Sequence, residues 1–376
     1  MQNKISVNLG QRSYDIIIEK NASEYLPEFL GTKNYSKIFI ITDETIAALH
    51  LTKLEQVFKK TKFVEINAPK IIKIKAGEQA KSFQFLEKIC EEILTQGIDR
   101  KSLIVAFGGG VVGDLAGFIA SILLRGIDFI QIPTTLLAAV DSSVGGKTAI
   151  NSISGKNLVG SFYQPQLVIC DLNFLKTLPQ REVRSGYAEV VKYGFICDKE
   201  FFEFLEKNYS KISEFDEEVL KKIITRSCEI KAAIVGRDER ESGERALLNF
   251  GHTFGHIFET ETGYSDEILH GEAVALGMLM AAKMSQNFHM ISENDFMRIK
   301  NHLESAGFTT DPKKIRKNWD EKNLTSHLLK DKKNENENLT FILLKKMGDA
   351  VILKAVEMEN FKKVLREFCD PTPLKF

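Results

Sequence analysis

The chain has 376 residues and 42.5 kDa, and its 51 Lys and Arg balance 51 Asp and Glu, so its formal net charge is zero. That balance excludes a bulk basic field for nucleic acid or an anionic membrane. A hydrophobic content of 43% excludes extensive disorder, and the length suits two domains. The opening MQNKISVNLGQRSYDIIIE is strand-like and broken by charge, so it does not read as a secretory leader. Residues 4–19 read as a hairpin turning near Leu9-Gly10-Gln11, and 37–42 (KIFIIT) as a β-branched strand with a helical pattern following through residue 60. Residues 62–66 and 71–75 are further strands, 82–95 a helix, 102–107 (SLIVAF) a buried strand, and 129–133 and 167–170 two more. Strands alternating with helices imply an α/β layer around a mostly parallel sheet. The weakly polar stretch 102–124 is split by Asp114 and crowded with glycine, so it does not read as a spanning helix.

Beyond about residue 172 helices dominate, expected at 179–193, 198–208, 215–236, 243–262, 271–287 and 293–306. A strand pair is expected at 339–344 and 350–353, after an exposed polar loop at 331–338. The domain boundary is placed near Asp171, giving domains 1–171 and 172–376. The five cysteines, 90, 170, 197, 228 and 369, form no CxxC pair. They read as reduced thiols of a cytoplasmic protein, not as a zinc site.

Gly108-Gly109-Gly110-Val111-Val112-Gly113 fits G-x-G-x-x-G between an expected strand and an expected helix. There glycines let a pyrophosphate approach the backbone and the helix N-terminus offers free N–H groups. The motif sits late in the chain, and no acidic residue ends a strand about 20 residues beyond it. Gly145-Gly146-Lys147-Thr148 resembles the end of a P-loop but fails, because Asp141 stands where the first glycine belongs. Thr134, Thr135, Asp141, Ser142 and Ser143 nearby suit the polar rim of a cofactor or substrate site.

Three of the seven histidines, His252, His256 and His270, crowd into one short stretch. His252 and His256 share a helix face as an i, i+4 pair without the glutamate of H-E-x-x-H. Single histidines are more often hydrogen-bonded core groups, but three so close suggest imidazole ligation of a metal completed by a carboxylate. Glu189, with Lys192 at i+3, is the candidate for that carboxylate. Lys192, Lys231 and Arg245 lie on otherwise apolar helices. Each alone could snorkel to solvent; together they point to an anionic substrate.

Taken together, GEQAKS (77–82), GGGVVGDLAGFIAS (108–121), RGIDFIQIPTTLLAAVDSSVGGKTAIN (125–151), GKNLVGSFYQP (155–165), AEVVKYG (188–194), RALLNFGHTFGHIFE (245–259) and LHGEAVALGM (269–278) resemble the 3-dehydroquinate synthases of the sugar phosphate cyclase superfamily. The resemblance runs from about residue 37 to about 355. It implies a Rossmann-like NAD-binding α/β domain followed by a mainly helical metal-binding domain, with the active site in the cleft between them. By resemblance the zinc ligands are Glu189, His252 and His270, an open set that also suits Co2+. Asp141, Lys147, Lys192, Lys231, Arg245, Asn249 and His256 match substrate-binding and catalytic positions. Arg125, which can reach a neighbouring subunit, and Lys332 match phosphate-binding ones. For NAD the matching positions are Asp43, Glu78, Lys81, Gly109, Gly110, Val111, Asp114, Thr134, Thr135, Lys147, Lys156, Thr177 and Glu182.

The implied reaction is a lyase step of the shikimate pathway, leading to chorismate and the aromatic amino acids. It converts 3-deoxy-D-arabino-heptulosonate 7-phosphate into 3-dehydroquinate and phosphate, with NAD oxidised and regenerated in each turnover. A homodimer is expected, with no nucleic-acid or membrane partner. Rival readings are a cyclase that makes a cyclitol, a metal-dependent NAD polyol dehydrogenase that accumulates NADH, and a non-catalytic relative that has lost ligands or cations.

Overall fold

The structure, a computed structural model, describes residues 4–61, 68–331 and 338–369. The chain forms two compact units. The first comprises Met1–Val183 and Glu214–Arg240, the second Arg184–Ser213 and Glu241–Phe376.

The first unit is built on β1 (Lys4–Val7), β2 (Tyr14–Glu19), β3 (Lys37–Asp43), β4 (Lys70–Ile74), β5 (Ser102–Gly108), β6 (Asp128–Pro133), a hairpin of β7 (Lys147–Ser152) and β8 (Gly155–Phe162), and β9 (Leu167–Asp171). Seven of these form one sheet in the order β1-β2-β9-β6-β5-β3-β4. Only β1 with β2 is antiparallel; the other pairs are parallel. Strand β5 is buried along its whole length, as a parallel strand covered on both faces must be. Its alternate residues feed opposite layers. Ile104 and Ala106 pack with Leu115 and Ile119 of the helix Gly110–Ile122, while Leu103 and Val105 pack with Leu54 and Phe58 of the helix Glu44–Phe58. The chain leaves β3 for β4 on one side and returns through β5 on the other, so the winding reverses between β3 and β5. At such a reversal, loops at the carboxyl ends of the strands open a crevice.

The helix Glu217–Arg237 packs against β1, β2 and the turn Ala138–Ser142, so it belongs to the first unit. The boundary expected near Asp171 therefore differs from the division observed, which falls after Val183 and returns 214–240 to the sheet. The cause is specific: Cys228 of this helix donates its thiol to the Ala139 carbonyl at 3.3 Å, and Lys231 bonds Asp141.

In the second unit, the helix His270–Asn287 is buried on nearly every face, as its Ala- and Met-rich sequence allows. Against it pack the helix His252–Glu261 and the strand β10 (Asn338–Lys346), which pairs antiparallel with β11 (Asp349–Glu357). The helix Gln180–Cys197 enters this unit after its first turn, and helices Lys199–Ser213, Glu293–Ser305, Glu321–Asp331 and Met358–Cys369 complete it. The single helix expected over 243–262 is interrupted: a 3-10 turn Glu244–Asn249 ends at Phe250, and Gly251 at φ +85° starts a new helix at His252. The β7–β8 hairpin and the helices at 321–331 and 358–369 were not expected. The strand expected at 62–66 lies outside the described residues, as does most of the polar loop at 331–338.

Candidate active site

In the first unit the expected nucleotide-binding residues gather at the reversal of the sheet. Asp43 ends β3, where its carboxylate caps the next helix by accepting from the Ile46 N–H at 2.9 Å. Gly109 and Gly110 follow β5, and Gly109 caps the helix carrying Val111 and Asp114 without any side-chain hydrogen bond. That end keeps backbone N–H groups directed outward for an anion. Thr134 follows β6 and is tied back by its N–H to the Gly108 carbonyl at 3.0 Å, and the Thr135 hydroxyl accepts from the Ala138 N–H at 3.1 Å.

A second group forms beside it. Lys81, 4% exposed, bonds Asp114 at 2.8 Å and Asn157 at 2.5 Å and lies 3.7 Å from Glu78. Burial works against its charge, but Asp114 and Glu78 outweigh that and raise its pKa. Lys156 is half-buried on β8, next to Asn157. Thr177 sits apart from this network, bonded to His50 Nε2 at 2.7 Å, and Glu182 lies in the first turn of the helix Gln180–Cys197.

Asp141 sits in a π-turn, Ala138–Ser142. Such widened turns occur mostly at functional positions. Lys231, 5% exposed, donates to both the Asp141 carbonyl (2.7 Å) and its Oδ1 (2.8 Å), which fixes an ammonium group in a largely dry setting. Lys147 opens β7 opposite Phe162, on the exposed face of the hairpin. Arg125 is exposed on a turn in which both Leu124 and Arg125 have positive φ.

The second unit assembles the metal candidates. Glu189, His252 and His270 offer three ligand atoms within 4.8 Å of one another. Glu189 Oε1 lies 3.7 Å from His252 Nε2 and 3.6 Å from His270 Nε2. Two ligands of one tetrahedral zinc stand about 3.3 Å apart, so two imidazoles and a carboxylate at this spacing fit such an ion with little adjustment. Close helix contact makes this possible. A Cβ on Gly271 would lie 1.9 Å from the Ser185 carbonyl oxygen, so only glycine lets the helix of His270 approach the helix of Glu189 this closely. Burial drives the His252 pKa down to about 3, the neighbouring Lys192, His256 and His270 adding to the effect while Glu189 opposes it. Burial also opposes charge on His270, but Glu259 and Glu189 outweigh it and raise its pKa to about 10.

Around this trio, Lys192, 1% exposed, bonds the second oxygen of Glu189. His256 presents a half-exposed ring edge-on to His252, with centroids 5.4 Å apart. Arg245 is buried, and the Asn249 amide donates to Glu241 at 2.6 Å. Lys332 lies outside the described residues. Two acidic groups in this region were missed from sequence. Glu241 follows the charged run Arg237-Asp238-Glu239-Arg240, which hides it. Glu259 stands at i+3 from His256 on the histidine face of the helix, and that spacing could have revealed it.

A parallel sheet with a glycine turn at its reversal, followed by a helical unit carrying a Glu-His-His trio, is the arrangement of a metal- and nucleotide-dependent enzyme, and the solved structures similar to it include sugar phosphate cyclases. The chain matches a solved structure of 2-deoxy-scyllo-inosose synthase, complexed with carbaglucose-6-phosphate, NAD+ and Co2+, with a TM-score of 0.87 and 28% identity over 97% of this chain and 100% of that one. Residues 71–185 match the 3-dehydroquinate synthase N-terminal family model and 186–334 the C-terminal one. The 3-dehydroquinate synthase of Bartonella quintana is 48% identical, covering 96% of both chains, and that of Thermodesulfovibrio yellowstonii 46%, covering 97% of this chain and 99% of that one. The chain belongs to the 3-dehydroquinate synthase family and is an enzyme.

Proposed function

We propose that this enzyme converts 3-deoxy-D-arabino-heptulosonate 7-phosphate into 3-dehydroquinate and phosphate. The observation that carries the reading is the Glu189-His252-His270 trio, its glutamate buried beside Lys192, in a chain of this family. Glu189, His252 and His270 would hold Zn2+, and Co2+ fits the same donors. Asp43, Glu78, Lys81, Gly109, Gly110, Val111, Asp114, Thr134, Thr135, Lys147, Lys156, Thr177 and Glu182 would hold NAD. When bound, the metal would supply Lewis acidity toward a substrate hydroxyl and NAD a reversible hydride acceptor, which suits a lyase reaction without net redox change.

The chain's own residues supply position and protons. Lys231, fixed by Asp141, and the buried Lys192 and Arg245 lie in a drier setting than water, where a cation would bind phosphate and carboxylate oxygens more strongly. Lys147, Arg125 and Lys332 add cations for phosphate. Asn249 is oriented by Glu241, and His256 has the exposure needed to exchange protons with solvent or substrate.

A homodimer is part of the reading. Leu158 and Phe162 are exposed on one face of β8. Exposed large apolar side chains of this kind are suited to cover by a second copy. A cytoplasmic setting agrees with five cysteines that form no disulfide. Among the described residues no helix is long and apolar enough to cross a membrane.

The test is phosphate release from the heptulosonate phosphate. Release is expected only with zinc and catalytic NAD present and without net NADH. NADH accumulating in step with turnover would reject the reading.

A further inference from the structure

We infer that Glu259 is a positioning residue that accepts the Nδ1 proton of His270 and thereby aims the Nε2 of that ring at the metal. This rests on Glu189, His252 and His270 being the ligands. Glu259 is 3% exposed, with both carboxylate oxygens 3.3–3.4 Å from His270 Nδ1. An ionised carboxylate only accepts hydrogen bonds, so Nδ1 keeps its proton toward Glu259, and Nε2, the nitrogen 3.6 Å from Glu189, is the one that would give up its proton to a metal. The other ligand ring is held differently: His252 Nδ1 faces the Phe250 backbone carbonyl at 3.4 Å. The His270 side chain is 34% exposed against 15% for His252, so it is the ring with more freedom to lose. Glu259 also lies 4.0 Å from His256 Nε2, so one buried carboxylate serves a ligand and its half-exposed neighbour. Partners behind ligand histidines typically contribute 10- to 100-fold in metal affinity.

The experiment uses the full chain stripped with a chelator, and measures zinc Kd by competition with a chromophoric chelator and the visible absorption of the Co2+-loaded protein. Glu259→Gln keeps the shape and an acceptor oxygen but removes the charge; Glu259→Ala removes both. The zinc Kd is expected to rise about tenfold in Glu259→Gln and toward 100-fold in Glu259→Ala, with displaced cobalt bands and an unchanged circular-dichroism spectrum. Should the alanine variant not fold, the isosteric glutamine variant decides. Parent Kd and parent cobalt spectrum in folded Glu259→Gln overturn the inference while leaving the ligand set standing. Parent affinity in His252→Ala overturns the ligand set itself, and the inference with it.

Discussion

Lys231 is a lysine taken out of water and held by Asp141 through both its carbonyl and its carboxylate. Removing the carboxylate leaves the ammonium group its carbonyl partner but takes away the counter-charge 2.8 Å from it. Asp141→Ala should therefore lower stability by about 3 kcal/mol, and adding Lys231→Met should recover most of it, read as urea midpoints in a double-mutant cycle. If the double variant is no better than the single, the pair is not the source of the loss. His302 is a second residue whose burial has a price in acid. Burial, reinforced by Arg298 and opposed by Glu206, lowers its pKa to about 4 from 6.5, while Nε2 bonds the Tyr187 hydroxyl at 2.7 Å. The unfolded chain takes up this proton first as pH falls. The contribution is complete above about pH 6.5 and is lost down to pH 4, about 3 kcal/mol in all. Stability measured across that window should fall less steeply in His302→Gln. At this scale the sequence showed the histidines, Glu189 and Lys231 because their residue types and spacing are rare. It did not show Glu259 or His302, whose importance comes from burial beside partners far along the chain.

At the scale of elements, Gly251 decides the geometry of the metal half. Its φ of +85° breaks what would read as one helix over 243–262 and starts a new one at His252. A Cβ there would lie 2.5 Å from Met278 Cγ and 2.6 Å from the Met278 backbone nitrogen. Gly251→Ala should cost about 1–3 kcal/mol in backbone strain alone, with overpacking in addition. It should lower the melting temperature by several degrees and weaken zinc binding. An unchanged melting temperature would mean that the helices can separate without penalty. The buried parallel strands were legible because runs such as SLIVAF and KIFIIT have few other uses. The β7–β8 hairpin was not, because its sequence, rich in Ser, Gly and Asn, looks like loop, and its register is set by pairing such as Ile150 with Val159. The terminal helix Met358–Cys369 does carry a periodic signal in Phe361, Val364 and Leu365, all buried. It lies past the last recognisable motif, so only periodicity could have found it.

For the whole molecule, zero net charge says little about its substrate. Lys192, Lys231 and Arg245 are each at most 5% exposed, so a chain with no net charge still holds basic groups locally out of water. The fold class was legible from the change in pattern along the chain, but the division into units was not. Glu214–Arg240 reads like its helical neighbours, yet its contacts return it to the sheet. That return governs how the protein can be made. The polypeptide passes from one unit to the other three times, at Val183, Ser213 and Arg240, so the sheet half is discontinuous in the message that encodes it. A ribosome must have released residue 240 before the π-turn of Asp141 has a partner helix, which delays completion of the first half until part of the second has emerged. A fragment ending at Val183 should accordingly be insoluble or molten by near-ultraviolet circular dichroism, and regain order on addition of a 214–240 peptide. A fragment that folds unaided would show that the sheet needs no completion.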